Sequence, residues 1–159
     1  MRLQGYADVD WAGNAVDQKS TSGCCFTLGS AMVSWCSRKQ SSVALSTTEA
    51  EYIALCVAVR KAMWLRKLLA DLFGHEMDST VIHCDNQSSV KLSENPVLHD
   101  KSKHIKIKYH YIRDMVQRKA IHVQYLSTHE QVADVFTNRL PGQSLSTSVR
   151  DLAWWRMPP

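Results

Sequence analysis

The sequence predicts a mixed α/β fold, in which a sheet of five strands is combined with helices. Its first forty residues contain short apolar or alternating runs, which are typical of β-strands. Residues 46–73 instead have apolar side chains at helical spacing, and strand-like and helix-like segments alternate beyond them. The resulting order βββαβα(α)βα is typical of a layered α/β domain. With 159 residues and 45% hydrophobic content, the chain is large enough for one such domain with a single core.

The first three strand-like segments predict an antiparallel meander. Residues 3–11, LQGYADVDW, alternate, and their polar face carries Asp8 and Asp10. The short segments CCFTLG and AMVSWCSR follow, and Gly29 with Ser30 between them is typical of a tight hairpin turn. The opposite face of the first strand holds Leu3, Gly5, Ala7, Val9 and Trp11.

Residues 46–73 predict one long helix, and Gly74 ends it at the usual C-terminal position. We expect Trp64 to lie in the core, together with Trp11 and Trp35. The predicted apolar stripe of this helix consists of Ala50, Ile53, Val57, Trp64 and Leu68.

The remaining segments complete the sheet and its helices. STVIHC predicts a fourth strand, NQSSVKLSEN a short helix, and HIKIKYHYIRDMVQRK a basic helix with Ile105 and Ile112 toward the core. IHVQYLS predicts a fifth strand, and HEQVADVFTNRL a last helix before Pro141. We therefore place one domain at residues 1–142 and a C-terminal tail at residues 143–159.

Composition limits the compartment and the class of partner. The net charge of +4 is compatible with a polyanionic partner without requiring one. Five cysteines form no CxxC pair and are odd in number, so we expect reduced, mostly buried thiols rather than a zinc ribbon or a disulfide framework. No segment reaches the roughly 20 apolar residues of a membrane helix. The sequence therefore predicts an intracellular, soluble protein that is not membrane-bound.

Carboxylates stand where a fold of this kind can bring them to one edge of the sheet. They lie on the first strand, in the first turns of the long helix, at the end of the fourth strand and on the last predicted helix. Crowded carboxylates repel one another, and hard divalent ions such as Mg²⁺ relieve that repulsion. Two such ions about 3.5–4 Å apart can hydrolyse phosphodiesters. The candidates are Asp8 or Asp10, Glu49 or Glu51, Asp85, and Asp134.

Each acid also has an ordinary structural interpretation. Asp85 could cap the helix that starts at Asn86, Asp134 could be a solvated helix residue, and Asp10 could belong to a polar strand face. Ser46 and Thr48 each have a glutamate three residues later, so both pairs fit a capping box. Helical periodicity alone leaves the choice between the two glutamates open.

Five blocks in order carry a family resemblance. GYADVDWAG, KSTSG, SWCSRKQSSVALSTTEAEYIAL, CDNQSSVKLSENPVLHDKSKHIKIKYHYIRD and QVADVFTNRLP together resemble the ribonuclease H domain of copia-type retrotransposon Pol polyproteins, over about residues 3–142. The resemblance implies the ribonuclease H-like fold, an α/β fold whose five-stranded mixed sheet has the strand order 3-2-1-4-5 and helices on both faces. It also implies a metal-dependent endoribonuclease that cleaves the RNA strand of RNA/DNA hybrids during reverse transcription.

The same resemblance selects among the acids. The motif of the first strand favours Asp8 over Asp10, and TTEAEYIAL favours Glu51 over Glu49. HCDNQSS adds Asp85, and QVADVFTN adds Asp134. The implied catalytic metal ligands are Asp8, Glu51, Asp85 and Asp134, with two Mg²⁺ ions as the expected cofactor and Mn²⁺ as an alternative. His129 lies only five residues before the last aspartate, so we leave it out of the catalytic set.

A basic segment predicts contacts to a nucleic acid. Its charges suit phosphates and its tyrosines suit stacking, although a solvated amphipathic helix would have the same pattern. Hydroxyl and amide side chains elsewhere could bind phosphate or 2′-hydroxyl groups of the RNA strand. The candidates are Ser20, Thr21, Ser22, Asn86, Lys101, Lys103, Lys106, Lys108 and Arg113.

Two other interpretations remain. One is a catalytically silent retrotransposon remnant that only binds nucleic acid or serves as a structural module. The other is an integrase or transposase of the same fold, which the order of acids D, E, D, D disfavours because integrases carry their glutamate on a late helix. The expected partners are an RNA/DNA hybrid and the reverse transcriptase domain of a parent polyprotein. We expect a monomer in isolation, located in the cytoplasm within a virus-like particle or in the nucleus, and not secreted.

Overall fold

The computed structural model describes residues 2–13, 16–94 and 103–137, with the side chains of residues 103–105 excluded. These residues contain five strands and three α-helices in the order βββαβααβ, and two short 3₁₀ helices follow the last strand. The strands are β1 (Leu3–Asp10), β2 (Thr21–Leu28), β3 (Ala31–Lys39), β4 (Thr80–Cys84) and β5 (Ile121–Tyr125). The helices are α1 (Thr47–Phe73), α2 (Gln87–Glu94), α3 (Lys103–Gln117) and the 3₁₀ helices Thr128–Glu130 and Val132–Phe136.

The strands form one mixed sheet in the order β3-β2-β1-β4-β5. The first three strands are antiparallel and the second and third are joined by a hairpin at Gly29, whose φ of 62° is the left-handed conformation that such turns require. Strand β4 runs parallel to β1, and β5 runs parallel to β4. In the β1–β4 register Ala7 pairs with Cys84, so the carboxyl ends of these two strands lie side by side. The predicted fold class and strand order are confirmed.

The core lies between the sheet and α1, which packs against β1, β2 and β4. Tyr52 and Leu55 of α1 are fully buried, as are Phe26 and Ile82 of the sheet. A Cβ at Gly5 would lie only 2.6 Å from the Phe26 ring, so glycine at this position lets the ring cross β1. Burial of each such large side chain contributes about 1.5–3 kcal/mol.

The capped ends of α1 follow the sequence prediction. Ser46 Oγ accepts a hydrogen bond from the Glu49 N–H at 3.1 Å, and Gly74 adopts a left-handed φ of 72° at the other end. The predicted apolar stripe is only partly correct. Ala50 and Ile53 are buried as predicted, whereas Trp64 and Leu68 are exposed. Further along the helix the buried residues are Leu55, Ala58, Ala62, Leu65 and Leu69.

The assignment of three tryptophans to the core is wrong. Trp11, Trp35 and Trp64 are 48%, 62% and 55% exposed. Trp64 lies under the ammonium of Lys61, whose Nζ is 4.6 Å from the ring centre. Trp35 stands on the edge strand β3 and stacks on Phe136 at 5.6 Å. Trp35 and Trp64 thus find partners at the surface, and the size of a ring alone did not indicate burial.

The predicted last helix is also wrong in type, because residues 128–136 form two 3₁₀ helices instead of one α-helix. The segment is tied to the sheet by Gln131, whose amide donates to the Ala7 carbonyl at 2.9 Å and whose Oε1 accepts from Ala133 N–H. A Cβ at Gly23 of β2 would lie 2.6 Å from the Thr137 side chain. This close packing on a glycine of the sheet favours short, tight turns.

The predicted burial of the cysteines is confirmed for most of them, and other predictions fall outside the described residues. All five cysteines are free thiols, and four of them are buried. The tail at residues 143–159, with Trp154 and Trp155, and the domain boundary at residue 142 lie outside the described residues. Within the described ranges, no helix has the length and hydropathy needed to cross a lipid bilayer.

Candidate metal-binding active site

Four carboxylates meet where the parallel strands end. Asp8 lies near the end of β1 and Asp85 directly follows β4, so the pairing of these strands sets them side by side. Glu51 projects from the start of α1, and Asp134 lies on the second 3₁₀ helix. The charges of Asp85 and Asp134 both act on Asp8, and those of Asp85 and Asp8 act on Glu51. The structure thus brings together the four acids that the family motifs selected.

Glu51 is a buried acid of this cluster. It is 9% exposed, and no group among the described residues donates a hydrogen bond to its buried Oε2. Burial, and then the negative charges of Asp85 and Asp8, raise its pKa to about 9. Without a cation, Glu51 therefore holds a proton at neutral pH.

Glu49 has a different role, although it lies only two residues away. Its Oε2 accepts a hydrogen bond from the Leu45 N–H at 3.1 Å, while its own N–H donates to Ser46 Oγ. These bonds satisfy backbone groups at the start of α1, as a capping arrangement does. Of the two glutamates, Glu51 alone is buried beside the aspartates.

Asp8 is 5% exposed, and burial is the main reason why its pKa rises to about 6. The charges of Asp85 and Asp134 raise the pKa further, while the Thr137 hydroxyl donates to Asp8 Oδ2 and partly offsets the rise. Asp10 instead lies against the turn that follows β1, where a Cβ on Gly13 would clash with its carboxylate.

Asp85 does not cap α2, so that interpretation is wrong. The cap is Asn86, whose Oδ1 accepts a hydrogen bond from the Ser89 N–H at 2.9 Å. Asp85 Oδ1 is buried and finds no hydrogen-bond donor in the part of the chain that the structure describes. Its carboxylate is therefore available to a cation.

The donor atoms of this cluster suit a divalent metal ion. One ligand atom each from Glu51, Cys84 and Asp85 lies within 4.8 Å of the others. Glu51 and Asp85 each have a buried carboxylate oxygen that lacks a donor, and oxygen is the ligand that Mg²⁺ prefers. The third, Cys84 Sγ, was missed by the sequence analysis, although its position directly before the aspartate was a signal. Burial, and then the charge of Glu51, raise the pKa of this thiol to about 12.

The predicted basic segment forms α3, and two of its lysines face solvent or a cleft. Lys106 is exposed, and Lys108 is half-buried in a cleft that it lines together with Arg38 and Arg60. The two arginines were not predicted. They extend the positive surface onto β3 and α1. Arg113 is half-buried, whereas Lys101 and the side chain of Lys103 lie outside the described residues.

The tyrosines of α3 lie on its inner side. Tyr109 is buried and stacks on Tyr52 with ring centres 3.9 Å apart, so it is not presented to a nucleobase. Tyr111 is half-buried. Ile112 is fully buried, as predicted, while the side chain of Ile105 is not among those described. The helix therefore offers charge to a ligand more readily than it offers stacking.

The predicted hydroxyl contacts divide into buried and accessible groups. Ser20 Oγ accepts from Ala12 N–H at 3.2 Å, and Ser22 Oγ accepts from the Gln40 amide at 2.9 Å. Both serines are buried, so their bonds here are internal. Thr21 and Asn86 are partly exposed, and they retain access to a ligand.

Comparison with known proteins places this chain in a family. The chain is 42% identical over 139 residues, or 87% of its length, to a retrovirus-related Pol polyprotein from transposon TNT 1-94 of Nicotiana tabacum. It is 39% identical over its full length to the corresponding polyprotein from transposon RE1 of Arabidopsis thaliana. The chain is a ribonuclease H-fold homologue of copia-type Pol polyproteins. It spans only 10% and 11% of the lengths of these two relatives, and no family model matches it.

Solved structures agree on the ribonuclease H fold. A metagenomic ribonuclease H1 from compost, LC11, superposes with a TM-score of 0.63 at 18% identity, covering 91% of this chain and 98% of that one. The same protein in complex with an RNA/DNA hybrid gives a TM-score of 0.62 at 16% identity, covering 91% and 99%. The prototype foamy virus protease-reverse transcriptase gives 0.59 at 13% identity, covering 86% of this chain and 20% of the viral one.

Within the ribonuclease H fold, the position of the glutamate distinguishes two of the predicted functions. Glu51 lies on α1, between β3 and β4, and not on a helix late in the chain. This placement disfavours the integrase interpretation, as the order of acids did. Thr137, which donates to Asp8, was not predicted; its position three residues after Asp134 was the available signal.

Proposed function

We propose that this domain is a metal-dependent endoribonuclease that cleaves the RNA strand of RNA/DNA hybrids during retrotransposon reverse transcription. The ribonuclease H fold and the Pol homologues support a nucleic-acid hydrolase. The observation that carries the proposal is the meeting of four acids, with a buried, donor-free carboxylate oxygen on both Glu51 and Asp85.

The residues that would hold the cation are Asp8, Glu51, Asp85 and Asp134. When bound there, two Mg²⁺ ions, or Mn²⁺ in their place, supply an activated water and stabilise the leaving oxygen of a phosphodiester. Glu51 and Asp8 are buried, which keeps competing water away from their oxygens. Thr137 fixes the orientation of Asp8 through its hydroxyl. A bound cation would favour the carboxylate form of Glu51, and the proton of this side chain would pass to solvent.

A hybrid substrate fits the positive charge of the cleft that Arg38, Arg60 and Lys108 line. These three side chains, and Lys106, which is exposed on α3, can neutralise phosphates of one strand. Thr21 and Asn86 can donate to a 2′-hydroxyl group, which is the group that distinguishes RNA from DNA. The LC11 ribonuclease H1 has been solved with an RNA/DNA hybrid, which supports the same class of substrate here.

We further propose that the domain works beside a reverse transcriptase domain in a longer polyprotein. The chain corresponds to about a tenth of its Pol relatives, and a viral protease-reverse transcriptase contains a similar fold. A polymerase domain that holds the hybrid would increase its effective concentration at the acids.

A gel assay with an end-labelled RNA/DNA hybrid tests the proposal. We expect cleavage of the RNA strand with Mg²⁺ or Mn²⁺, none with EDTA, and none of single-stranded RNA or duplex DNA. Because a polymerase domain can be needed for tight binding, the assay should include high protein concentration and low salt. Hybrid binding without cleavage under all metal conditions would favour the catalytically silent module instead.

A further inference from the structure

Cys84 places a thiol inside the carboxylate cluster. It is the last residue of β4 and is fully buried. Its Sγ lies within 4.8 Å of a carboxylate oxygen from both Glu51 and Asp85. The hydrogen bond described for it is a long one of 4.0 Å to the Asn86 carbonyl. The proposed hydrolysis gives this thiol no role.

A second observation indicates a ligand at the same point. Glu51 is nine-tenths buried, and within the described ranges its Oε2 accepts no hydrogen bond. Asp85 Oδ1 is in the same condition. A buried acceptor without a donor costs about 1–3 kcal/mol, and a bound cation removes that cost.

The donor set favours a softer ion than Mg²⁺. Mg²⁺ takes oxygen ligands, whereas Zn²⁺ and its heavier analogue Cd²⁺ bind thiolate together with carboxylate. We propose that Glu51, Cys84 and Asp85 form a binding site for Zn²⁺, which competes with Mg²⁺ for the two carboxylates. On binding, the Cys84 thiol and the protonated Glu51 carboxyl would each release a proton to solvent, and Cys84 would form a Zn–S bond.

The separation of these three ligand atoms is within reach of Zn²⁺ coordination. With usual bond lengths and tetrahedral angles, sulfur and oxygen ligands stand about 3.6 Å apart. Ligand atoms within 4.8 Å reach this separation by side-chain movements of roughly 1 Å. Asp85 is half-buried, and a water molecule would supply the fourth ligand. The proposed binding of Zn²⁺ does not depend on the proposed function. Inhibition of cleavage by Zn²⁺ rests on the proposed function.

A titration of the metal-free protein with Cd²⁺ tests binding without any activity measurement. The thiolate-to-cadmium charge-transfer absorption should appear and saturate at one Cd²⁺ per chain. Cys84→Ser should lose this absorption. Cys36→Ser is the matched control, because Cys36 pairs with Cys24 across β2 and β3 and offers a competing thiol pair. We expect this control to keep the absorption.

Glu51→Gln keeps the thiol and tests the site even if Cys84→Ser folds poorly. The glutamine variant should bind Cd²⁺ about tenfold more weakly or worse, because it loses one charged ligand. Full absorption in Cys84→Ser, loss of absorption in Cys36→Ser, or unchanged affinity in Glu51→Gln would overturn the proposed site.

Competition is tested by hybrid cleavage at fixed Mg²⁺ with increasing Zn²⁺. Added Mg²⁺ should relieve the inhibition, and Cys84→Ser should need about tenfold more Zn²⁺ for half inhibition, relative to its own rate without zinc. Equal zinc sensitivity of the two proteins would refute competition through Cys84. If the wild-type protein cleaves no hybrid, the proposed function fails, while the Cd²⁺ titration still decides the binding site.

Discussion

Glu51 Oε2 and Asp85 Oδ1 are both buried at the end of the parallel strands, and neither receives a hydrogen bond from a described residue. The charge of Asp85 also raises the pKa of Glu51. Such a pair is unfavourable unless a proton or a cation lies between the two carboxylates. The arrangement lowers the stability of the metal-free protein, so the dependence of stability on metal ions and on pH is measurable.

Metal binding should stabilise the fold. Mg²⁺ at about 100 times its Kd should add about 2.7 kcal/mol to the free energy of unfolding and raise the Tm accordingly. Asp85→Asn should abolish the rise, because it removes one carboxylate ligand. Differential scanning fluorimetry with Mg²⁺ and with EDTA measures the effect.

Asp10→Asn is the matched control for this measurement. Asp10 lies two residues from Asp8 and packs against the turn at Gly13, so this variant should keep the full Mg²⁺ response. A normal response in Asp85→Asn would remove Asp85 from the metal site.

In EDTA, stability should fall as the pH rises above neutral. Glu51 has an ordinary pKa of 4.5 and a folded pKa of about 9, so the folded state binds the proton more tightly. Its contribution is fully present below pH 4.5 and is lost as the pH rises toward 9. Glu51→Gln should flatten the decline between about pH 7 and 8.5 and stabilise the metal-free protein there by at least about 1 kcal/mol. Urea unfolding at several pH values would refute this if the two proteins had parallel profiles.

The salt dependence of hybrid binding should report the basic surface of α3. Replacing Lys106 and Lys108 by Ala should reduce the slope of log K against log salt by about one for each phosphate that the variant no longer neutralises. Lys67→Ala is the control, because this exposed lysine lies in the second half of α1 and not on α3. Its neighbour Arg66 donates a hydrogen bond to the Met77 carbonyl, in the segment before β4. An unaltered slope in the double variant would indicate that the exposed face of α3 is ordinary solvated surface.

The cap of α2 gives a separate test of the corrected assignment. Asn86→Ala should cost about 1 kcal/mol in the free energy of unfolding, because the Ser89 N–H loses its acceptor. Asn86→Ser should cost less, since serine can also cap. If Asn86→Ala were neutral in chemical denaturation, the cap would contribute nothing to stability.

Local pattern was sufficient for most of the fold. Alternation predicted β1, the turn at Gly29 predicted the β2–β3 hairpin, and helical spacing with Gly74 predicted α1 to within one residue. These signals depend on neighbours in the chain. The position of the Trp35 ring at the surface depends instead on Phe136, about a hundred residues later in the chain, which stacks on it. The prediction of one last helix was wrong for the same reason, because this segment also depends on a distant contact: Gln131 donates a hydrogen bond to the backbone of β1.

The candidate site shows the same division. Helical periodicity gave Glu49 and Glu51 equivalent positions, and only the packing of α1 on the sheet buries one and leaves the other at the cap. The family motif supplied that choice before the structure did. Cys84 directly precedes Asp85 but belongs to no acid motif, and the pairing of β4 with β1 places its thiol among the carboxylates.

The most direct test of the proposed mechanism is hybrid cleavage by Glu51→Gln and Glu49→Gln, measured with Mg²⁺ beside the wild-type protein. Glu51→Gln should eliminate cleavage while the protein stays folded, because a buried charge that would hold the metal is lost. Glu49→Gln should keep most activity and lose only a few tenths of a kcal/mol in stability, because glutamine still accepts the Leu45 N–H bond. Full activity in Glu51→Gln, or equal loss in both variants, would contradict the proposed metal-dependent mechanism at this cluster.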